Sequence, residues 1–331
     1  MKPSILIARA IFADIVERLR EHFEVAENAA DEAWTDAELV RRLQGCAGAF
    51  VTSGERIDAG LLDACPQLRA VCSMAVGYNN IDVAACTARG VLVSNAPDVL
   101  TETTADLGFA LMMAAARRIS EGERFVRRGE WKRWSVEQFA GADVHGATLG
   151  ILGMGRIGQA IARRGALGFG MPVLYHNRSP LDAAIEARLG ARLVGKEELL
   201  RTADHVVIVV PYSAATHHLV GAAELAWMKP GATLTNIARG GVVDDRALAA
   251  ALRERRLLAA GLDVFEGEPA VHPDLLALPN VVLTPHIASA SGRTRRAMAD
   301  LAAANLVAVL GQGAAAGRPA TALNPEVLVR R

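Results

Sequence analysis

The chain has little of what marks several large classes of protein. Of its 331 residues only 5% are aromatic and four are cysteine, and 36 basic side chains balance 36 acidic ones to a net charge of zero. A neutral balance lacks the footprint of proteins that track a phosphate backbone or an anionic lipid surface, so neither nucleic acid nor membrane is expected as a partner. Although 51% of the residues are hydrophobic, the longest strongly apolar run, 107–116, falls well short of the ~20 residues needed to span a bilayer. Arg9 interrupts the N-terminal apolar stretch too early for a secretory signal, and the expected location is the cytoplasm. Cys46, Cys65, Cys72 and Cys86 form no C-x-x-C pair, and no His stands at metal-ligand spacing to them. They read as buried thiols of a reducing compartment, with neither disulfide nor metal.

What is present is length and rhythm. At ~150 residues per domain the chain predicts two domains, each able to bury a core. Short β-branched runs alternate with helical patterns, which indicates α/β layers around parallel sheets. In the first block, strands over 4–8, 47–51, 68–73 and 91–94 alternate with helices over 13–22, 36–43, 58–64 and 81–89. One long helical pattern follows from 101 to about 128, with Thr103 and Asp106 at capping-box spacing. The second block has strands over 149–152, 172–176, 205–210, 232–236, 258–262 and 281–284, and a last helix spans 291–310. The tail after His286 is too short to bury a core alone and must dock on one of the two blocks.

Gly153-Met154-Gly155-Arg156-Ile157-Gly158 fits G-x-G-x-x-G between an apolar strand and a helical pattern, inside a unit of about 30 residues. The first Gly allows a tight turn, the second lets backbone approach a pyrophosphate, and the third permits close helix–strand packing. The helix start, at Arg156 and Ile157, offers free N–H groups and a positive dipole end. About 20 residues on, where an NAD site places an acid against the ribose hydroxyls, stand Asn177, Arg178 and Ser179. A guanidinium pairs with a 2′-phosphate and the neighbours donate hydrogen bonds, so NADP(H) is expected as the preferred cofactor, with NAD(H) left open.

Three strings in the second half each follow a predicted strand: 236–241 with Arg239, 261–269 with Asp263 and Glu268, and 285–289 with His286. The carboxyl edge of an open α/β sheet is where ligands sit. A guanidinium can bind an α-keto carboxylate and polarise the ketone, an imidazolium can protonate a developing alkoxide, and a carboxylate can stabilise that imidazolium.

With these motifs the chain resembles the D-isomer-specific 2-hydroxyacid dehydrogenase family over essentially its whole length. The motifs are the glycine fingerprint, the Arg239 loop, Asp263-Val264-Phe265-Glu266-Gly267-Glu268-Pro269 and Pro285-His286. Gly129-Glu130-Trp131, Val144-His145-Gly146 and Asn177-Arg178-Ser179 look like the bacterial glyoxylate/hydroxypyruvate reductases that also reduce 2-ketoaldonates. The resemblance implies two Rossmann-like, doubly wound parallel-sheet domains. A flavodoxin-like substrate domain is discontinuous, 1–100 plus 288–331, and the cofactor domain, 101–287, is inserted in it. It implies that Arg239 binds and polarises substrate, that His286 is the general acid and that Glu268 orients and charges His286. It further implies that Asp263 bonds the nicotinamide carboxamide and that Thr104, Pro211, Ile237, His286 and Ala288 line the dinucleotide groove. The loop 73–82 resembles the family's substrate loop, with the N–H groups of Val76 and Gly77 cradling the carboxylate and Ser289 nearby. The family's Gly-Tyr-Asp-Asn reads Gly77-Tyr78-Asn79-Asn80 here, which alters loop hydrogen bonding rather than catalysis.

The implied reaction is reduction of glyoxylate, hydroxypyruvate or 2-ketogluconate to a hydroxy acid. The implied assembly is a homodimer in which Trp131, Trp134 and Phe139 sit on an exchanged arm, with Trp134 or Phe139 reaching the partner's site as one option and simple packing as the other. Two rival readings are an NAD enzyme like phosphoglycerate dehydrogenase and a non-catalytic, dinucleotide-sensing corepressor-like protein. The first is disfavoured by Arg178 and the short C-terminus, the second by the retained Arg239, Glu268 and His286.

Overall fold

The computed structural model describes residues 2–329, which form two compact units, one from 2–100 and 291–329 and the other from 101–290. Each is built on a parallel sheet. The first sheet contains β1 (Ser4–Ile7), β2 (Glu24–Glu27), β3 (Gly48–Val51), β4 (Ala70–Ser73) and β5 (Leu92–Ser94) in the order β2-β1-β3-β4-β5, the flavodoxin-like winding. Its central strands are buried on both faces, as parallel strands under helices must be. Helix Ala13–His22 buries Ile15, Val16 and Leu19, while Thr35 and Asp58 cap the helices that follow them. The last long helix, Gly292–Val309, is capped by Ser291. It comes close to β3 where Gly48 lacks a side chain: a Cβ there would stand 2.8 Å from Leu306 Cδ1. Beyond it, Asn324 Oδ1 accepts from Val93 N at 2.8 Å and fastens the tail to β5.

The second sheet contains β6 (Leu149–Leu152), β7 (Val173–His176), β8 (Ala191–Leu193), β9 (His205–Ile208), β10 (Thr233–Asn236), β11 (Ala259–Leu262) and β12 (Val281–Leu283). Their order is β12-β11-β10-β9-β6-β7-β8, all parallel. Strand order reverses between β6 and β9, the switch point at which doubly wound sheets bind ligands. Helix Thr101–Ala116, which carries the apolar run 107–116, lies on this sheet: a Cβ on Gly261 would meet Leu111 O at 2.9 Å, and one on Gly108 would meet Ile237 Cδ1 at 2.6 Å. Among the described residues no helix is long and apolar enough to cross a membrane.

Four expectations need correction. The helix expected over 101–128 is two, Thr101–Ala116 and Ile119–Arg127, broken where Arg118 takes a φ of 52°. Arg118 there pairs with Glu121 at 2.9 Å and lies over the Phe139 ring. Thr103 and Asp106 are inside the first of these helices rather than at its cap, and Asp106 accepts from Arg164 Nε at 2.9 Å. Two strands were not anticipated, β2 and β8, and both are sheet edges. Residues 288–290 go with the second unit, because Ala288 N–H is held by Asp263.

Candidate active site

Parallel strands place all their carboxyl ends on one edge, so the loops opening at Gly153, Val209, Ile237, Asp263 and Thr284 share that edge of the second sheet. Gly153 has a φ of 99°, and a Cβ on it would stand 2.8 Å from the Val209 carbonyl carbon. A Cβ on Gly158 would meet Gly153 O at 2.3 Å, so helix Arg156–Arg163 packs on the turn only with glycine there. Gly155 differs: no atom lies within 4 Å of a Cβ built on it, and it starts that helix with no side-chain cap. An open approach to backbone at an uncapped helix N-terminus suits a pyrophosphate, so these residues fit a dinucleotide. Arg156 is exposed in the first turn and Ile157 is half-buried.

Asn177 Oδ1 accepts from Met154 N at 2.7 Å, which ties the end of β7 to the glycine turn. Arg178 and Ser179 follow, both exposed, and the Arg178 side chain makes no hydrogen bond or ion pair among the described residues. Pro211 is exposed just beyond β9, whereas Ile237 is buried after β10 and Thr104 is buried in helix Thr101–Ala116.

Three side chains expected to act together come from the next loops. Asn236, buried at the end of β10, shapes the Arg239 turn by accepting from Ala238 N at 3.0 Å and donating to Arg239 O at 3.2 Å. Arg239 is half-buried and donates from Nη1 to Ala238 O at 2.7 Å. Burial pulls its guanidinium below the usual range, and the nearby Glu268 carboxylate pushes it back. The Arg239 and Glu268 loops touch at Gly240, where a Cβ would collide with Phe265 O at 1.7 Å. Glu268 Oε1 accepts from Phe265 N at 2.9 Å, and Oε2 lies 2.7 Å from His286 Nδ1. Burial alone would raise the Glu268 carboxyl, but the His286 and Phe265 hydrogen bonds and the Arg239 charge outweigh it and hold it below the ordinary range. A carboxylate only accepts, so Nδ1 carries the hydrogen and Nε2 is the nitrogen left for other chemistry.

Asp263 supports this pair from beneath. It is fully buried, Oδ1 accepts from Thr284 Oγ1 at 2.6 Å and Ile287 N at 2.8 Å, and Oδ2 accepts from Ala288 N at 2.8 Å. Its backbone O accepts from His286 N at 2.9 Å. The Asp263 side chain therefore organises the turn carrying His286. Ala288 is buried and Ser289 half-buried on that turn. Val76 and Gly77 belong to the first unit, half-buried in the loop after β4.

The structural reach of Asn236 and Thr284 is not evident from sequence, since neither stands out among ordinary polar residues. The same holds for His217 and His218. Their rings stack with centroids 3.9 Å apart, and His218 Nε2 lies 3.0 Å from Glu266 Oε2, linking the loop after β9 to the Glu268 loop. Among the described residues, His217, His218 and Glu266 are the one group of His, Cys, Asp and Glu close enough to share an ion, and all three are exposed. The four cysteines are free and buried. Burial pushes the thiols of Cys72 and Cys86 up to about 12, which leaves both unreactive.

A glycine cradle at the switch point of a parallel sheet, with a carboxylate–imidazole pair and an arginine on the same edge, defines a dinucleotide-dependent oxidoreductase. Residues 109–288 match the family model for the D-isomer specific 2-hydroxyacid dehydrogenase, NAD binding domain. A glyoxylate reductase of Thermococcus onnurineus is 47% identical, over 99% of this chain and 98% of its own. A glyoxylate/hydroxypyruvate reductase B of Yersinia enterocolitica is 46% identical, over 94% of this chain and 95% of its own. The crystal structure of an NADPH-dependent glyoxylate/hydroxypyruvate reductase of Sinorhizobium meliloti, in complex with NADP and malonate, superposes with a TM-score of 0.85 at 36% identity and covers 98% of each chain. The chain belongs to the D-isomer specific 2-hydroxyacid dehydrogenase family and is an NAD(P)-dependent oxidoreductase.

Proposed function

We propose that the protein is an NADPH-preferring reductase of small 2-oxo acids, with glyoxylate and hydroxypyruvate its leading substrates and 2-ketogluconate a further one. The observation that carries this reading is the 2.7 Å contact between Glu268 and His286 on the edge that also presents Arg239. NADPH, when bound, supplies the hydride for the keto carbon. His286 gives the proton from Nε2 to the keto oxygen, so that one hydride and one proton turn the ketone into an alcohol. Glu268 stays ionised, keeps Nδ1 protonated and stabilises the imidazolium before transfer. Arg239 binds the carboxylate and polarises the ketone, and the N–H groups of Val76 and Gly77 hold the carboxylate. In this reading Met1–Leu100 with Ser291–Arg331 is the substrate-binding unit and Thr101–Ala290 the cofactor-binding one.

Arg178 supports the preference for NADPH. It is exposed where an acid would face the ribose of NAD, and it has no partner among the described residues. The relative from Sinorhizobium meliloti, described as NADPH-dependent, was crystallised with NADP. We further propose a homodimer formed through the arm around Trp134, which is 75% exposed beside exposed Trp131 and Val136. Phe139 instead packs on Phe125 of its own chain, with ring centroids 5.2 Å apart.

Steady-state kinetics with the three substrates and both cofactors tests the whole reading. Glyoxylate or hydroxypyruvate should give the highest kcat/KM with NADPH, and an Arg178→Ala variant should lose that preference by a KM increase for NADPH alone. Far faster oxidation of NADH than of NADPH with glyoxylate would remove the Arg178 argument.

A further inference from the structure

Two consecutive carbonyls of the loop after β4 are held from the inside of the first unit. Ala75 O accepts from Ala96 N at 3.0 Å, and Val76 O accepts from Asn95 Nδ2 at 2.7 Å. In a trans peptide the C=O and the following N–H point in opposite directions. Fixing these carbonyls against the buried 95–96 segment therefore turns the N–H groups of Val76 and Gly77 away from it, and both residues are half-buried at the surface. Among the described residues neither N–H donates a hydrogen bond. Adjacent amides pointing the same way make an anion-binding concavity.

Asn95 is itself braced. It is 6% exposed, its N donates to Thr321 O at 3.4 Å and its O accepts from Thr321 Oγ1 at 2.6 Å. Thr321 Oγ1 also accepts from Asn305 Nδ2 at 2.7 Å, and Asn305, 1% exposed in helix Gly292–Val309, accepts from Ala320 N at 2.8 Å. The returning C-terminal segment thus holds the backbone of the residue whose side chain holds the Val76 carbonyl.

We propose that Asn95 is a positioning residue for carboxylate recognition: its side-chain amide, braced by Thr321 and Asn305, sets the plane of the Val76–Gly77 peptide and so makes the enzyme select substrates that carry a carboxylate. The proposal rests on the reading of the protein as a 2-oxo acid reductase. Asn95→Asp removes the donor and sets a negative charge against the Val76 carbonyl, and Asn95→Ala removes the contact.

Each variant and the wild type are assayed with glyoxylate and with methylglyoxal, which has a reducible carbonyl but no carboxylate, alongside thermal melts and NADPH titration. The expected result is a KM for glyoxylate raised about tenfold or more, the worth of one hydrogen bond to a charged group. The change in kcat should be much smaller and NADPH affinity unaltered, since the residues assigned to the cofactor lie in the other unit. The kcat/KM ratio of glyoxylate to methylglyoxal should fall by the same factor, which a merely structural loss would not produce. Thr321→Val, one step removed, should move KM the same way by less, and it decides the matter if the Asn95 variants do not fold. Folded variants with wild-type KM and an unchanged substrate ratio would overturn the role of Asn95 alone. A wild-type enzyme that reduces no 2-oxo acid would overturn the functional reading and this proposal with it.

Discussion

Nδ1 of His286 lies 2.7 Å from Oε2 of Glu268 while the His286 backbone sits at a φ of 53°. A non-glycine residue in the left-handed region carries roughly 1–2 kcal/mol of strain and stays there only where surrounding bonds demand it. Those bonds come from Asp263, whose carboxylate and carbonyl take N–H groups from His286, Ile287 and Ala288. Electrostatic partner and backbone clamp are thus separate residues, and they can be removed separately.

Removing the partner should cost turnover and leave the fold alone. Glu268→Gln keeps the shape but supplies no charge to the imidazolium, so kcat is expected to fall by about 10²–10⁴. His286→Asn should fall at least as far. Near-normal turnover of either variant would take the acid role from His286. In the wild type, the depressed Glu268 carboxyl means that the pair is intact above the ordinary carboxylate range and is lost only as pH falls below it.

Removing the clamp should cost both stability and turnover. Asp263→Asn turns an acceptor into a donor against an N–H or hydroxyl in a fully buried site, a penalty of about 1–3 kcal/mol. The melting temperature and kcat should drop together, unlike the Glu268→Gln result. An Asp263→Asn protein with a wild-type melt and lower NADPH affinity would show that the carboxylate serves the cofactor and not the turn.

Two glycines of the fingerprint predict opposite phenotypes for one substitution. Gly155→Ala meets nothing in the free protein, so stability should stay within ~0.5 kcal/mol while NADPH binding weakens about tenfold or more, because the methyl fills the pyrophosphate approach. Gly158→Ala must push helix Arg156–Arg163 off Gly153 O, so it should lower the melting temperature whether or not cofactor is present. Melts paired with fluorescence titration of NADPH separate the two. Equal affinity in Gly155→Ala and wild type would place the pyrophosphate elsewhere.

These contrasts also show what could be read in advance. Arg239, Glu268 and His286 were legible because each follows an apolar strand, and in a parallel sheet all such positions share an edge. Helix Ala13–His22 and helix Asp36–Leu43 were legible from apolar spacing. Strands β2 and β8 were not, because an edge strand buries little: Glu24, Ala26 and Glu27 are exposed, and β8 is three residues long. Nor was the break at Arg118, which carries no Gly or Pro and where the side chain lies over Phe139, distant in sequence. The clamps of Asp263 and Asn95 escaped for the same reason, since a polar residue's partner is set by tertiary contact and not by spacing.

His205 supplies a test of stability that is independent of catalysis. It is fully buried at the start of β9, with Nδ1 2.8 Å from Thr233 Oγ1 and Nε2 2.9 Å from Asp143 O, the latter tying the segment before β6 to the sheet. Burial lowers its affinity for a proton below the ordinary 6.5, against the raising effects of the Asp143 carbonyl and the Asp204 charge. Below about pH 6.5 the unfolded chain takes up a proton that the folded ring resists. The neutral ring's contribution is therefore complete above that pH and lost progressively as pH falls through it towards the lower folded value. The depressed carboxyls of Asp204, Glu224 and Glu268 titrate below this window. Between pH 7.5 and 5.5 the wild-type melting temperature should decline, and His205→Gln, which does not titrate and can still donate to Asp143 O, should decline markedly less even if it melts lower throughout. Parallel declines for the two proteins would mean that His205 is not the group whose protonation opens the fold.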